Sequence, residues 1–177
     1  MEEIFAIGGE NDANNNEVHD KIEFAQPTSL SLGSLPQLTC FCKSIKTQEN
    51  LITSSSSELF SEKVLLPNLE VLELDEIKVE KIWHNQLPAM SSSSFQSLTQ
   101  LIVHSCDSLR YIFSSSIVKS ITQLQYLEIS NRKALEEITA SEEGAEVATI
   151  FVFPQVTTLI LRNLPELRCF YPGLRLY

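Results

Sequence analysis

The residues of this chain best suited to chemistry are four cysteines and three histidines. The cysteines stand at positions 40, 42, 106 and 169. The one close pair, Cys40-Phe41-Cys42, has a single residue between its thiols, whereas zinc and dithiol sites usually place two. No metal site is expected. His19 lies in an acidic stretch and His84 follows Trp83, each far from any cysteine. His104 precedes Cys106 by two residues, and that pair could serve as base and nucleophile only if both side chains faced one cleft. Phosphate chemistry is no better supplied. Five glycines in 177 residues leave little for a Gly-rich loop, and no Gly-x-x-x-x-Gly-Lys-Ser/Thr run is present. No cofactor is implied.

Carboxylates are the remaining candidates, and they sit in two runs. Residues 1–23 carry seven acids against Lys21, and residues 135–148 carry five acids and no base. These segments account for −11 of a net charge of −10, so the rest sums to +1. Both read as solvated insertions, over 8–23 and 139–150. A near-neutral body lacks the basic stripe that nucleic acid requires. At 43% hydrophobic and 20% charged, the chain is globular. No run reaches 18 apolar residues, so no membrane span is expected. An acidic pair, Glu2-Glu3, occupies the place of a signal peptide's basic residues, and no Asn-x-Ser/Thr acceptor occurs; a cytoplasmic location is the expectation.

What must position these groups is a repeat. Leu98-x-x-Leu101-x-Val103-x-x-Cys106-x-x-Leu109-x-x-Ile112 recurs as Leu124-x-x-Leu127-x-Ile129-x-x-Arg132-x-x-Leu135-x-x-Ile138. Val156, Leu159, Leu161, Leu164, Leu167 and Phe170 keep the same spacing, as do Leu69, Leu72, Leu74 and Ile77. A fifth copy runs through Leu30, Leu32, Leu35, Leu38 and Phe41, with Pro27 in its first slot. The starts near 27, 69, 98, 124 and 156 are spaced by 42, 29, 26 and 32 residues. This is the signature of leucine-rich repeats carrying insertions. The expected fold is α/β: one leucine-rich-repeat solenoid, or horseshoe, over 1–177, with a parallel concave sheet and irregular short helices or loops on the convex side. Residues 1–26 read as the tail of a preceding repeat plus an acidic loop, because Met1-Glu2-Glu3-Ile4 matches Leu135-Glu136-Glu137-Ile138. With no polar cap at either end, the chain reads as a slice of something longer.

The connectors are uneven. Ile117, Val118 and Ile121 have helical spacing, which predicts a short helix. The runs Ser54–Ser57 and Ser91–Ser94 read as flexible insertions. Trp83 is open to two readings, a plug under its connector or an exposed interaction anchor.

In each Leu-x-Leu the residues flanking the inward pair face outward. The sets are Ser29, Ser31, Gly33; Val71, Glu73, Asp75; Gln100, Ile102, His104; Tyr126, Glu128, Ser130; and Thr158, Ile160, Arg162. They form columns across the sheet, the middle one reading Ser31, Glu73, Ile102, Glu128, Ile160, and His104 falls between Asp75 and Ser130. Cys106 takes an inward slot and His104 an outward one, so they do not make a nucleophile and base. The mixture of apolar centres, acids and one tyrosine suits a protein or peptide partner.

Several phrases resemble the repeat region of plant intracellular nucleotide-binding leucine-rich-repeat disease-resistance proteins of the coiled-coil class. They are Leu66-Pro67-Asn68-Leu69-Glu70-Val71-Leu72-Glu73-Leu74, Val79-Glu80-Lys81-Ile82-Trp83-His84-Asn85-Gln86-Leu87-Pro88, residues 101–113, and Leu164-Pro165-Glu166-Leu167-Arg168-Cys169-Phe170-Tyr171-Pro172-Gly173. The resemblance implies a non-enzymatic recognition module in defence. Its partner would be a pathogen effector, a guarded host protein or the receptor's own nucleotide-binding domain. Nucleotide binding does not carry over to a chain without the phosphate loop. The alternative is a leucine-rich-repeat substrate adaptor of a ubiquitin ligase.

Overall fold

A computed structural model describes residues 3–7, 21–44, 58–61, 64–83, 94–140 and 153–170. Its elements in chain order are β1 (Glu3–Ile7), β2 (Ile22–Glu23), β3 (Ser29–Gly33), β4 (Cys40–Ser44), β5 (Glu58–Phe60), β6 (Val64–Leu65), β7 (Val71–Asp75), β8 (Lys81–Trp83), β9 (Gln100–His104), α1 (Ser115–Ser120), β10 (Tyr126–Ser130) and β11 (Thr158–Arg162). His19, His84, Ser54–Ser57 and most of both acidic runs lie outside the described residues.

Each Leu-x-Leu forms a five-residue strand, and five of these make one parallel sheet in the order β11-β10-β9-β7-β3. The strands pair in register, so Leu72 meets Leu101 and Leu101 meets Leu127, while Leu74, Val103 and Ile129 form a second row. All six of these inward residues are fully buried. Burial of such a side chain is worth about 1.5–3 kcal/mol. No strand achieves it alone, because each apolar pair is covered by the neighbouring strands' pairs. The three-residue spacing around the strands is a tight turn, with the Leu69, Leu98 and Leu109 N–H groups donating to the Leu66, Phe95 and Cys106 carbonyls at 3.2–3.3 Å.

Two backbone ladders bracket the sheet. Before the strands, one carbonyl takes two N–H groups from the next repeat: Thr28 from Glu70 and Val71, Glu70 from Thr99 and Gln100, Thr99 from Gln125 and Tyr126, Gln125 from Thr157 and Thr158, all at 2.8–3.1 Å. After the strands, Ser34, Glu76, Ser105, Asn131 and Asn163 adopt φ of 51–56°. This left-handed conformation is costly for residues other than glycine. It recurs because it turns each residue's N–H toward the next strand's last carbonyl: Ser34 to Asp75, Glu76 to His104, Ser105 to Ser130 and Asn131 to Arg162, at 3.0–3.2 Å.

Opposite the sheet, the connectors also pair in parallel, β1 with β4, β2 with β6 and β5 with β8, with single bridges Phe113–Thr139 and Glu137–Cys169. Among the described residues the one helix is α1, six residues long, where a short helix was expected. Strand-like pairing therefore does most of the work assigned to helices and loops. It also trims the acidic insertions. Ile22–Glu23 is a strand and Thr139 is buried against Phe113, so the expected loops 8–23 and 139–150 are too long at those ends. Ser94, at the end of a serine run read as flexible, is likewise buried.

Aromatic rings fill the space between connectors. Phe41 and Phe60 lie 5.4 Å apart, Phe60 and Phe95 5.4 Å, and Trp83 and Phe95 4.7 Å. Trp83 is a plug: it is 2% exposed, and its indole N–H donates to the Ile112 carbonyl at 2.8 Å. Trp83 is not an exposed anchor, since a ring with both its face and its N–H engaged is not offered to a partner.

Arg132 is the anomaly of the core. It occupies the slot held by Cys106 one repeat earlier and is fully buried. Its Nη2 donates to the Leu109 carbonyl, but among the described residues Nε and Nη1 have no hydrogen-bond partner. Burial lowers its pKa to about 10, outweighing the opposing pull of Cys106 and Asp107. A base whose folded pKa is depressed costs stability at neutral pH, and the cost shrinks as pH rises through about 10.

Two outcomes follow for denaturant unfolding. Leu101→Ala and Leu127→Ala should each cost about 2–5 kcal/mol, whereas Gln100→Ala, exposed on the other face, stays within about 0.5 kcal/mol. Arg132→Met, which keeps volume and removes an unpaired charge, should leave the midpoint unchanged or raise it. A large loss in Arg132→Met would mean that the guanidinium has stabilising partners.

Candidate functional site

The outward residues of the five strands make three columns. Register places Ser29, Val71, Gln100, Tyr126 and Thr158 in the first, and Ser31, Glu73, Ile102, Glu128 and Ile160 in the second. Gly33, Asp75, His104, Ser130 and Arg162 make the third. Ser31, Gln100 and Arg162 are exposed, and Val71, Glu73, Asp75, Ile102, His104, Tyr126, Glu128, Thr158 and Ile160 are half-buried. Ser130 differs. Expected on the open face, it is buried at 5% exposure. It is a small side chain standing in its column between the larger His104 and Arg162, which leaves it little solvent.

Glu128 organises the centre. It lies in register between Ile102 and Ile160, and its side chain is 15% exposed. Tyr126, two residues earlier on the same face, donates its hydroxyl to Glu128 Oε2 at 2.5 Å. His104 Nε2 stands 3.6 Å from Glu128 Oε1. That is an ion-pair distance for a protonated ring and too long for a hydrogen bond. The His104 ring thus reaches diagonally to Glu128, although Asp75 is its register neighbour. Glu73 takes a hydrogen bond from the Ser31 hydroxyl at 3.2 Å. At the sheet's end, the Asn163 amide donates to the Asn131 side-chain oxygen at 2.7 Å. Glu73 and Glu128 are held by their neighbours, while Ile102 and Ile160 beside them remain half-open.

This arrangement does not assemble a nucleophile. Cys106 is fully buried, and its thiol approaches the carbonyls of His104 (3.0 Å) and Leu74 (3.7 Å) rather than the His104 ring. Burial raises the thiol's pKa above its ordinary value. Among the described residues no three of His, Cys, Asp and Glu stand close enough to share a metal ion. Two features escaped the sequence reading. The Tyr126–Glu128–His104 contact was available from outward positions two apart on one strand and diagonal on the next. The burial of Arg132 was signalled by a charged residue in an inward slot of the repeat.

A family model for plant disease resistance protein RPS2-like leucine-rich repeats matches residues 68–172, more than half of the chain. The chain belongs to this family. Two Arabidopsis thaliana relatives of these leucine-rich repeats are similar over most of the chain. One, named "Putative disease resistance protein At4g10780", is 32% identical over 125 residues, 62% of this chain and 14% of its own length. Another, named "Probable disease resistance protein At4g27220", is 28% identical over 142 residues, 68% of this chain and 15% of its own length. The chain thus spans about one seventh of the curated relatives it matches. No solved structure matches it significantly. Among the described residues no helix is long and apolar enough to cross a membrane.

The Glu128 contact is measurable in this leucine-rich-repeat face. The hydrogen bond to Glu128 raises the Tyr126 pKa above its ordinary value near 10, with burial and the carboxylate's charge adding to it and Arg162 opposing. A raised folded pKa means stability fully present below the ordinary value and lost as pH climbs through the folded one. NMR titration of ring-labelled tyrosine should show Tyr126 titrating lower in Glu128→Gln than in wild type. An unchanged Tyr126 curve would remove the contact.

Proposed function

We propose that this chain is a non-enzymatic protein-recognition segment of a plant disease-resistance receptor, acting in the cytoplasm in defence. In this reading the five-stranded sheet is the concave wall of a horseshoe-shaped solenoid, and its outward columns meet the partner. The observation that carries it is the middle column, where half-open Ile102 and Ile160 flank a Glu128 held by the Tyr126 hydroxyl, with the His104 ring 3.6 Å away. Protein interfaces favour this composition, with apolar and aromatic centres, few free charges at the core and polar groups at the rim. Preorganised side chains also lower the entropic cost of binding. The partner is a protein or peptide: a pathogen effector, a guarded host protein, or the receptor's own nucleotide-binding domain. The family match and the names of the two relatives support the setting. The buried Cys106 and the near-neutral body favour binding over catalysis or nucleic-acid contact.

The test is a quantitative pull-down from plant extract with the wild-type chain, an Ile102→Glu/Ile160→Glu variant and a control, Gln123→Ala, at an exposed connector position. At least one captured protein should fall about tenfold or more with the face variant, equivalent to about 1.4 kcal/mol of binding, and stay level with the control. Circular dichroism must be unchanged across the three. A capture profile indifferent to Ile102 and Ile160 would move recognition off this face.

A further inference from the structure

The second repeat is one residue short where the chain leaves the sheet. After their strands the other repeats read Leu35-x-x-Leu38, Cys106-x-x-Leu109, Arg132-x-x-Leu135 and Leu164-x-x-Leu167, whereas the second reads Ile77-x-Val79. Elsewhere the two intervening residues make a turn, as at Pro36-Gln37, Asp107-Ser108 and Pro165-Glu166. The second repeat has Lys78 alone in that place and no such turn. Because β7 lies between β3 and β9, the shortened repeat is flanked by two full turns. The gap between them is a cavity of about 420 Å³, within the range of roughly 300–1,000 Å³ that ligand pockets occupy. Ser34 and Pro36 line one flank, Asp107 and Ser108 the other, and Glu76 and Lys78 lie between them above the buried Ile77.

The lining is rich in acceptors. The Ser34 hydroxyl donates to Glu76 Oε2 at 3.3 Å, and the Lys133 backbone N–H donates to Asp107 Oδ1 at 3.3 Å. Each carboxylate is thus oriented through one oxygen, and among the described residues the other oxygen has no partner. Lys78 pairs with neither of them. Asp75, next to Glu76 in the chain and half-buried, adds a third carboxylate. Counting the buried Arg132, which feels the charge of Asp107, this corner still sets three acids against two bases. Residues 34, 76 and 105 directly follow Gly33, Asp75 and His104 of the third outward column, so the cavity borders the recognition face.

We propose that this cavity is an arginine subsite, taking the guanidinium side chain of the protein or peptide that docks on the outward face. The inference rests on the recognition reading above and adds the partner's chemistry to it. The arginine's aliphatic stem packs against Pro36. Its planar fork of five N–H donors reaches the free oxygens of Glu76 and Asp107 and the Ser108 hydroxyl together. A lysine ammonium, being a point charge, cannot span both flanks. Hydrogen bonds from a guanidinium to carboxylates are also about twice as strong as neutral ones.

The probe is Nα-acetyl-arginine amide, titrated into the full 177-residue chain and followed by amide NMR, with the isosteric but neutral Nα-acetyl-citrulline amide as its control. Saturable shifts are expected at Glu76, Lys78, Asp107 and Ser108, with the citrulline compound weaker by about two- to fivefold, the measure of an exposed charge pair. Glu76→Gln and Asp107→Asn should each weaken arginine binding by about two- to fivefold on the same ground, and Glu76→Gln serves alone if Asp107→Asn fails to fold. Lys78→Ala should strengthen binding or leave it unchanged. Equal binding of the citrulline compound, indifference to Glu76→Gln, or shifts spread evenly over the exposed Glu70 and Glu136 overturns the proposal. The pull-down separates it from the reading it rests on. A protein whose capture falls with Ile102→Glu/Ile160→Glu should also fall with Glu76→Gln/Asp107→Asn. Capture that needs the isoleucines but not the two carboxylates overturns the subsite and leaves the recognition face standing.

Discussion

A five-residue strand with leucines on alternate positions cannot bury them by itself, and everything else in this molecule depends on that. Each apolar pair is covered by the pair of the next repeat, which forces the strands parallel and in register. Leu101 is fully buried between Leu72 and Leu127, whereas Leu159, covered on one side, is 47% exposed. The same constraint fixes the opposite face. Once Leu127 and Ile129 point inward, Tyr126 and Glu128 must point outward, and a slip of one residue would exchange the two sets.

The backbone reinforces what the side chains begin. Each of β3, β7, β9 and β10 is entered through a carbonyl shared by two N–H groups of the next repeat and left through a left-handed residue whose N–H reaches the next strand. Four of the five left-handed positions are serine or asparagine and the other is glutamate, none of them glycine. The strain at each is local, and the hydrogen bond it enables is repeated along the stack. The ladders therefore hold the outward columns in one register.

The strands, their order and the membership of each column were legible in the sequence because the period-two alternation and the three-residue spacing are direct consequences of burial. The connectors were not. Parallel pairing of β5 with β8 joins segments that carry no period of their own, so only tertiary packing reveals it. The burial of Ser130 depends on the size of its column neighbours, His104 and Arg162, which spacing does not report. Trp83 shows the same limit: an indole beside a connector reads equally well as plug or anchor until the Ile112 carbonyl is found waiting for its N–H.

The register of the sheet is the claim on which the face and the core both rest, and methyl NOE spectroscopy on the full chain tests it most directly. In-register strands lie about 4.8 Å apart, so methyl contacts should link Leu72 to Leu101, Leu101 to Leu127 and Leu127 to Leu159. A parallel series should link Leu74, Val103, Ile129 and Leu161. Contacts of Leu101 with Ile129 in place of Leu127, or an absence of contacts between β9 and β10, would contradict the structure and with it the surface on which recognition is placed.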